Sequence, residues 1–134
     1  IIPFAHDIKH TWRIFGNSRK TLNNLNRKIQ SLSASGATNI YLPIIAGLKE
    51  MKWIDINRYH TAIIIMTDGT STSGTFESLK KQWEKLKKDA PVFCIQYGSA
   101  KKLQLTEISD LTKGKVFDGR KNLVKTFLKV KGYN

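Results

Sequence analysis

Five apolar residues stand in an unbroken row, Ala62 to Met66, and the row stops at Thr67-Asp68-Gly69. A second run, Val92 to Ile95, follows after a helix-length charged stretch. A strand with one wet face alternates apolar and polar residues, whereas a strand covered on both faces reads as a continuous apolar run. Two such runs, alternating with helical patterns, call for a mostly parallel sheet with helices on both faces. That is an open α/β fold of the Rossmann-like kind. The 134 residues suffice for one domain with a real core and not for two.

The remaining elements follow from period and punctuation. The opening "IIPFA" reads as a short strand, and "IKHTWRIFG" alternates as a half-exposed strand. The His6-Asp7 pair between them offers the turn of a hairpin. Gly16-Asn17-Ser18 breaks that pattern and offers a helix cap. Leu22, Leu25, Ile29 and Leu32 then fall three and four apart, which predicts an amphipathic helix over 18–31.

The small-residue loop Ser33 to Asn39 opens a second helix, from Ile40 to about Lys52, with Ile44, Ile45, Leu48 and Met51 inward. Pro43 is tolerated in its first turn. A third helix spans about Gly74 to Asp89, with Phe76, Leu79, Trp83 and Leu86 on one face. Glu77 with Lys81 and Glu84 with Lys88 are four apart in the favourable order. After "VFCIQYG" comes a short helix predicted to close at Gly114, then the strand "KVF", then a helix over 122–131.

Lys and Arg number 23 against 10 Asp and Glu, giving +13 and a pI near 10.0. Such a balance suits an anionic partner such as a surface polymer, a lipid surface or nucleic acid. It equally suits a lysine-rich surface with no specific partner. The cations are spread over every helix with no Arg cluster and no basic-aromatic stripe, so a specific nucleic-acid interface is not expected. No apolar run approaches the roughly 20 residues that cross a bilayer. The lone Cys94 lies in an apolar strand and reads as a buried, inert thiol.

Ligands of open α/β sheets bind beyond the carboxyl ends of the strands, and Asp68 stands at one such end. A carboxylate among hydroxyls suits a hard cation, and Mg²⁺ keeps several waters, so it needs few protein ligands. Thr38, in "SGATNIY", is the candidate second ligand if its loop lies across the same edge. Either residue serves equally well as a cap or turn residue. His6, His10 and His60 share no metal-ligand spacing, and Ser71 and Ser73 have no visible base beside them. "GSAKK", Gly98 to Lys102, precedes a helix and offers a place for an anion, without a nucleotide-binding pattern.

"SGATNIYLPIIAGL", followed by "TAIIIMTDGTSTSG", "PVFCIQYG" and "LTKGKVFD", resembles von Willebrand factor type A domains of the bacterial kind over essentially the whole chain. For the opening, "IIPFAHDIKHTW", the resemblance implies the family's second strand and one antiparallel edge strand. The resemblance implies a metal-ion-dependent adhesion site that holds Mg²⁺ or Mn²⁺. A protein partner would complete the site with an exposed Asp or Glu. Thr38 matches the family's Thr and Asp68 its final Asp. The resemblance implies an interaction module and not an enzyme, at a cell surface, secreted or membrane-anchored ahead of cytoplasmic. The family's Asp-x-Ser-x-Ser motif is absent here. Asp68-Gly69-Thr70-Ser71-Thr72 imitates its spacing, but its neighbours match the later strand. The expectation is therefore a domain truncated at its N-terminus, lacking the family's first strand and first helix. Two other classes stay open beside it. One is a Mg²⁺-dependent hydrolase or phosphoryl-transfer enzyme built on Asp68. The other is a metal-free basic scaffold for anionic polymers.

Overall fold

In the computed structural model of the chain the described residues are 1–33, 35–55, 58–68, 70–86, 90–99 and 101–132, without the side chains of Trp53 and Lys131. Three strands form one parallel sheet in the order β1 (Ile63–Thr67), β2 (Val92–Gln96) and β3 (Lys115–Asp118). The register sets Ile63 opposite Val92 and Phe93 opposite Lys115. Five helices accompany it: α1 (Arg19–Gln30), α2 (Tyr41–Glu50), α3 (Phe76–Leu86), α4 (Lys102–Thr112) and α5 (Leu123–Lys131). A single 3-10 turn, Met51–Trp53, extends α2.

Successive side chains of a strand point to opposite faces, and this divides the core in two. Ile63, Ile65, Val92, Cys94 and Val116 face α2, α3 and α4, where Ile44, Leu48, Leu79, Leu105 and Ile108 meet them. Ile64, Met66, Phe93, Ile95 and Phe117 face the other way, toward Leu123 and Val130 of α5. The continuous apolar runs are thus explained, since both faces of the sheet are covered. Leu48 and Leu79 are fully excluded from water, so truncating either to Ala costs about 2–5 kcal/mol.

The parity of the ladder leaves one edge open. The Ile63 amide donates to the Pro91 carbonyl, and the Tyr97 amide donates to the Thr67 carbonyl. In a parallel ladder this turns the backbone groups of Ile63, Ile65 and Thr67 toward β2 and those of Ile64 and Met66 away from it. Among the described residues no strand pairs with β1 on that outer side.

The predicted antiparallel edge strand does not form. Residues 1–15 make an isolated bridge between Phe4 and Ile8, and a mutual pair of bonds joins Ile1 and Trp12. Neither rung joins the sheet. Pro3 removes one donor from the segment, and a two-stranded hairpin without a third strand is marginal in water.

Two smaller corrections concern ends. Helix α4 closes on Lys113, at φ 56°, and not on Gly114. Gly114 is required for a different reason: a Cβ there would run into the backbone carbonyl of Val92. The third helix begins at Phe76, two residues later than its pattern suggested. The Glu84–Lys88 pair falls outside the described residues, and among them no ion pair joins Glu77 to Lys81.

Candidate functional site at the carboxyl end of β1

β1 ends at Thr67, so Asp68 is the first residue past the carboxyl edge of the sheet. Its backbone is fixed from the β2 side. The Asp68 carbonyl accepts from the Ser99 amide at 2.8 Å and from the Ser99 hydroxyl at 3.3 Å. Gly98, at φ 59°, makes this approach possible: a Cβ there would stand 2.8 Å from the Asp68 carbonyl oxygen. The predicted anion loop at Gly98 therefore begins as a brace for Asp68. The Asp68 side chain itself is exposed.

The loop before α2 is brought to the same place. The Thr38 amide donates to the Thr72 hydroxyl at 3.1 Å. The Thr38 carbonyl accepts from the Thr72 and Ser73 amides, at 2.8 and 3.1 Å, and lies 3.3 Å from the Ser73 hydroxyl; the Ser71 hydroxyl has it at 3.2 Å and the Ser73 carbonyl at 3.0 Å as alternative acceptors. The Ile40 amide donates to the Ser71 hydroxyl. The hydroxyl-rich stretch after Asp68 thus serves as a latch for the Thr38 loop. The adjacent Asn39 caps α2, its Oδ1 accepting from the Tyr41 and Leu42 amides at 3.1 Å. Capping therefore falls to Asn39 and not to Thr38.

Gln104 of α4 completes the assembly. Its Oε1 accepts from the Ser71 amide at 2.9 Å, and its Nε2 donates to the Ser71 carbonyl at 3.1 Å. Nothing in the sequence pattern singles this glutamine out, because a polar residue near a helix start ordinarily faces water. Tyr97 was missed as well. Burial first, and then the charge of Asp68, raise its phenol above the ordinary value. A second carboxylate, Asp118, closes β3 and is gripped by Arg120 through Nε at 2.9 Å and Nη2 at 2.6 Å. That grip holds the Asp118 carboxyl well below the usual carboxylate range, and it leaves Asp118 engaged elsewhere.

The donor chemistry at this corner can be sorted. Ser71, Thr72 and Ser73 hydroxyls are occupied by the latch. Among the described residues the Asp68 carboxylate and the Thr38 hydroxyl make no hydrogen bond, and they are among the oxygens left for a ligand. One anionic and one neutral oxygen suit a hard, water-retaining cation in type. Among the described residues no group of three or more His, Cys, Asp or Glu could hold a metal. Of the three histidines, His6 lies 3.6 Å from Asp7 and beside Gly36 of the Thr38 loop, His10 stacks on Trp12, and His60 is exposed. Cys94 is fully buried and its thiol is pushed up to about 12 by burial, the inert thiol its position implied. No helix of the described residues is long and apolar enough to cross a membrane.

Comparison of the chain with models of protein families, with curated proteins and with solved structures found no match.

Proposed function

We propose that the chain is a divalent-cation-dependent binding module of the von Willebrand type A kind, in which Thr38 and Asp68 are ligands of Mg²⁺ or Mn²⁺. One observation carries this reading. The loop bearing Thr38 is latched by its backbone to the loop that follows Asp68, at the carboxyl edge of a parallel sheet, while neither the Thr38 hydroxyl nor the Asp68 carboxylate bonds to any described residue. A loop built only to cap α2 needs Asn39 and has no use for the latch. The bound cation would supply Lewis acidity toward one carboxylate of a protein partner.

The chain's own residues do the rest. Asp68 provides the negative charge, Thr38 a neutral oxygen, and Ser99, Thr72 and Gln104 hold the two loops in place. The basic surface steers an acidic partner toward the corner. This is the chemistry of a binding site and not of a catalyst, because no general base stands beside Asp68 among the described residues.

The test is a pull-down or titration against proteins that present exposed acidic side chains, with Mg²⁺ and with chelator. Asp68→Ala should abolish the cation-dependent part of binding and leave the fold intact. An Asp68→Ala variant that binds like the wild type, with the same response to chelator, refutes the role.

A further inference from the structure

Helix α1 is amphipathic, and the segment before it lies alongside: Thr21, Asn24, Leu25 and Lys28 line a small cleft with residues 12–15. The helix has 12 residues, is capped by the Ser18 hydroxyl accepting from the Thr21 amide at 3.2 Å, and buries none of its residues. Leu22 and Ile29, seven residues apart, share one face and are 49% and 46% exposed. Leu32, just past the helix, is 45% exposed, and Phe15, in the segment leading to it, is 83% exposed. Exposed single apolar residues need no explanation, but a stripe of them along a thinly covered helix does.

Along the sequence the charges flanking this helix are all of one sign. Between Asp7 and Glu50 the sequence has no carboxylate and seven Lys or Arg. Four of these, Arg19, Lys20, Arg27 and Lys28, are on α1. Arg13 is taken by Glu50, and the Lys28 ammonium sits 5.7 Å from the Trp12 ring centroid. Among the described residues Arg19, Lys20 and Arg27 have no acidic partner. A strongly amphipathic, basic helix of low overall hydrophobicity is the kind that lies in the plane of a lipid interface. Its apolar stripe enters the headgroup region, and its cations meet the anionic surface.

We propose that α1 is a membrane-surface element that docks this chain onto anionic lipid bilayers. The exposed leucine and isoleucine favour lipid over a soluble polyanion, which would use the cations and ignore the stripe. The inference stands apart from the cation site, since Thr38 and Asp68 are not on α1.

The experiment is co-sedimentation with vesicles of phosphatidylcholine alone and of phosphatidylcholine with phosphatidylserine, with circular dichroism on every variant. The wild type should pellet with the anionic vesicles and not with the neutral ones. The Leu22→Ser/Ile29→Ser double variant removes exposed side chains only, so it should stay folded and bind about tenfold more weakly. Replacing Arg27 and Lys28 by Ala should cost about fivefold for each cation lost. Leu103→Ser, as apolar and more exposed but on α4, should bind like the wild type. The proposal is overturned if the wild type ignores anionic vesicles. It is also overturned if the Leu22/Ile29 variant binds unchanged, which would mark plain polyanion attraction, or if Leu103→Ser loses as much as that variant does.

Discussion

Gly98 is the residue on which the geometry of Asp68 turns. A side chain there meets both a left-handed backbone, costly for any residue with a Cβ, and the Asp68 carbonyl at 2.8 Å. Gly98→Ala should therefore lose about 2 kcal/mol of stability by chemical denaturation and disturb any ligand response that depends on Asp68. Cys94 makes a pH prediction. Burial holds its thiol at about 12 against an ordinary value of 9.0. The unfolded chain therefore gives up this proton at lower pH than the folded one. The stabilisation it represents is complete below about pH 9 and fades as pH rises toward 12, with a slope near 1.4 kcal/mol per pH unit. Denaturation midpoints measured across that window should fall less steeply in Cys94→Ala than in the wild type. Asp68 and Thr38 were legible as candidates because a carboxylate after a buried strand and a hydroxyl before a helix are visible in one dimension. The latch was not, because it joins residues more than thirty positions apart and on the Thr38 side uses only backbone atoms that any sequence possesses.

At the scale of elements, the sequence was most legible where burial is two-sided. The runs at 62–66 and 92–95 became β1 and β2 within a residue or so, and the three- and four-residue spacings became α1, α2 and α5. It was least legible at residues 1–15, where alternation alone suggested strands. Alternation reports a face, but a strand also needs a neighbour, and here the available rungs number too few to extend. The αL residue at the end of α4 was equally hidden, because a lysine takes that conformation where a glycine stood one position on. The open edge of β1 gives this scale its own test. Amides of Ile63, Ile65 and Thr67 donate into the sheet and should exchange slowly in hydrogen-exchange measurements. Those of Ile64 and Met66, on the outer side, should exchange many times faster. Equal protection of all five would mean that another strand pairs with that edge.

For the whole molecule the two faces of the sheet are unequal. Three helices seal one side, while among the described residues α5 is the helix on the other and leaves Ile64 and Met66 only half-buried. The open strand edge and that thinner face are what an extended partner would seek, and unpaired edges of this kind invite association between copies. The net charge of +13 opposes such self-association. It is compatible with acidic proteins and anionic surfaces alike, which is why the candidate site, and not the charge, must decide between them. The most direct measurement is thermal unfolding of this chain in chelator, in Mg²⁺ and in Mn²⁺, beside Asp68→Ala. Binding to the folded state alone raises stability by about 1.4 kcal/mol at a cation concentration ten times the dissociation constant. The account predicts an upward shift of a few degrees with either cation, absent in chelator and lost in Asp68→Ala. A cooperative melt at one temperature in all three solutions would contradict it.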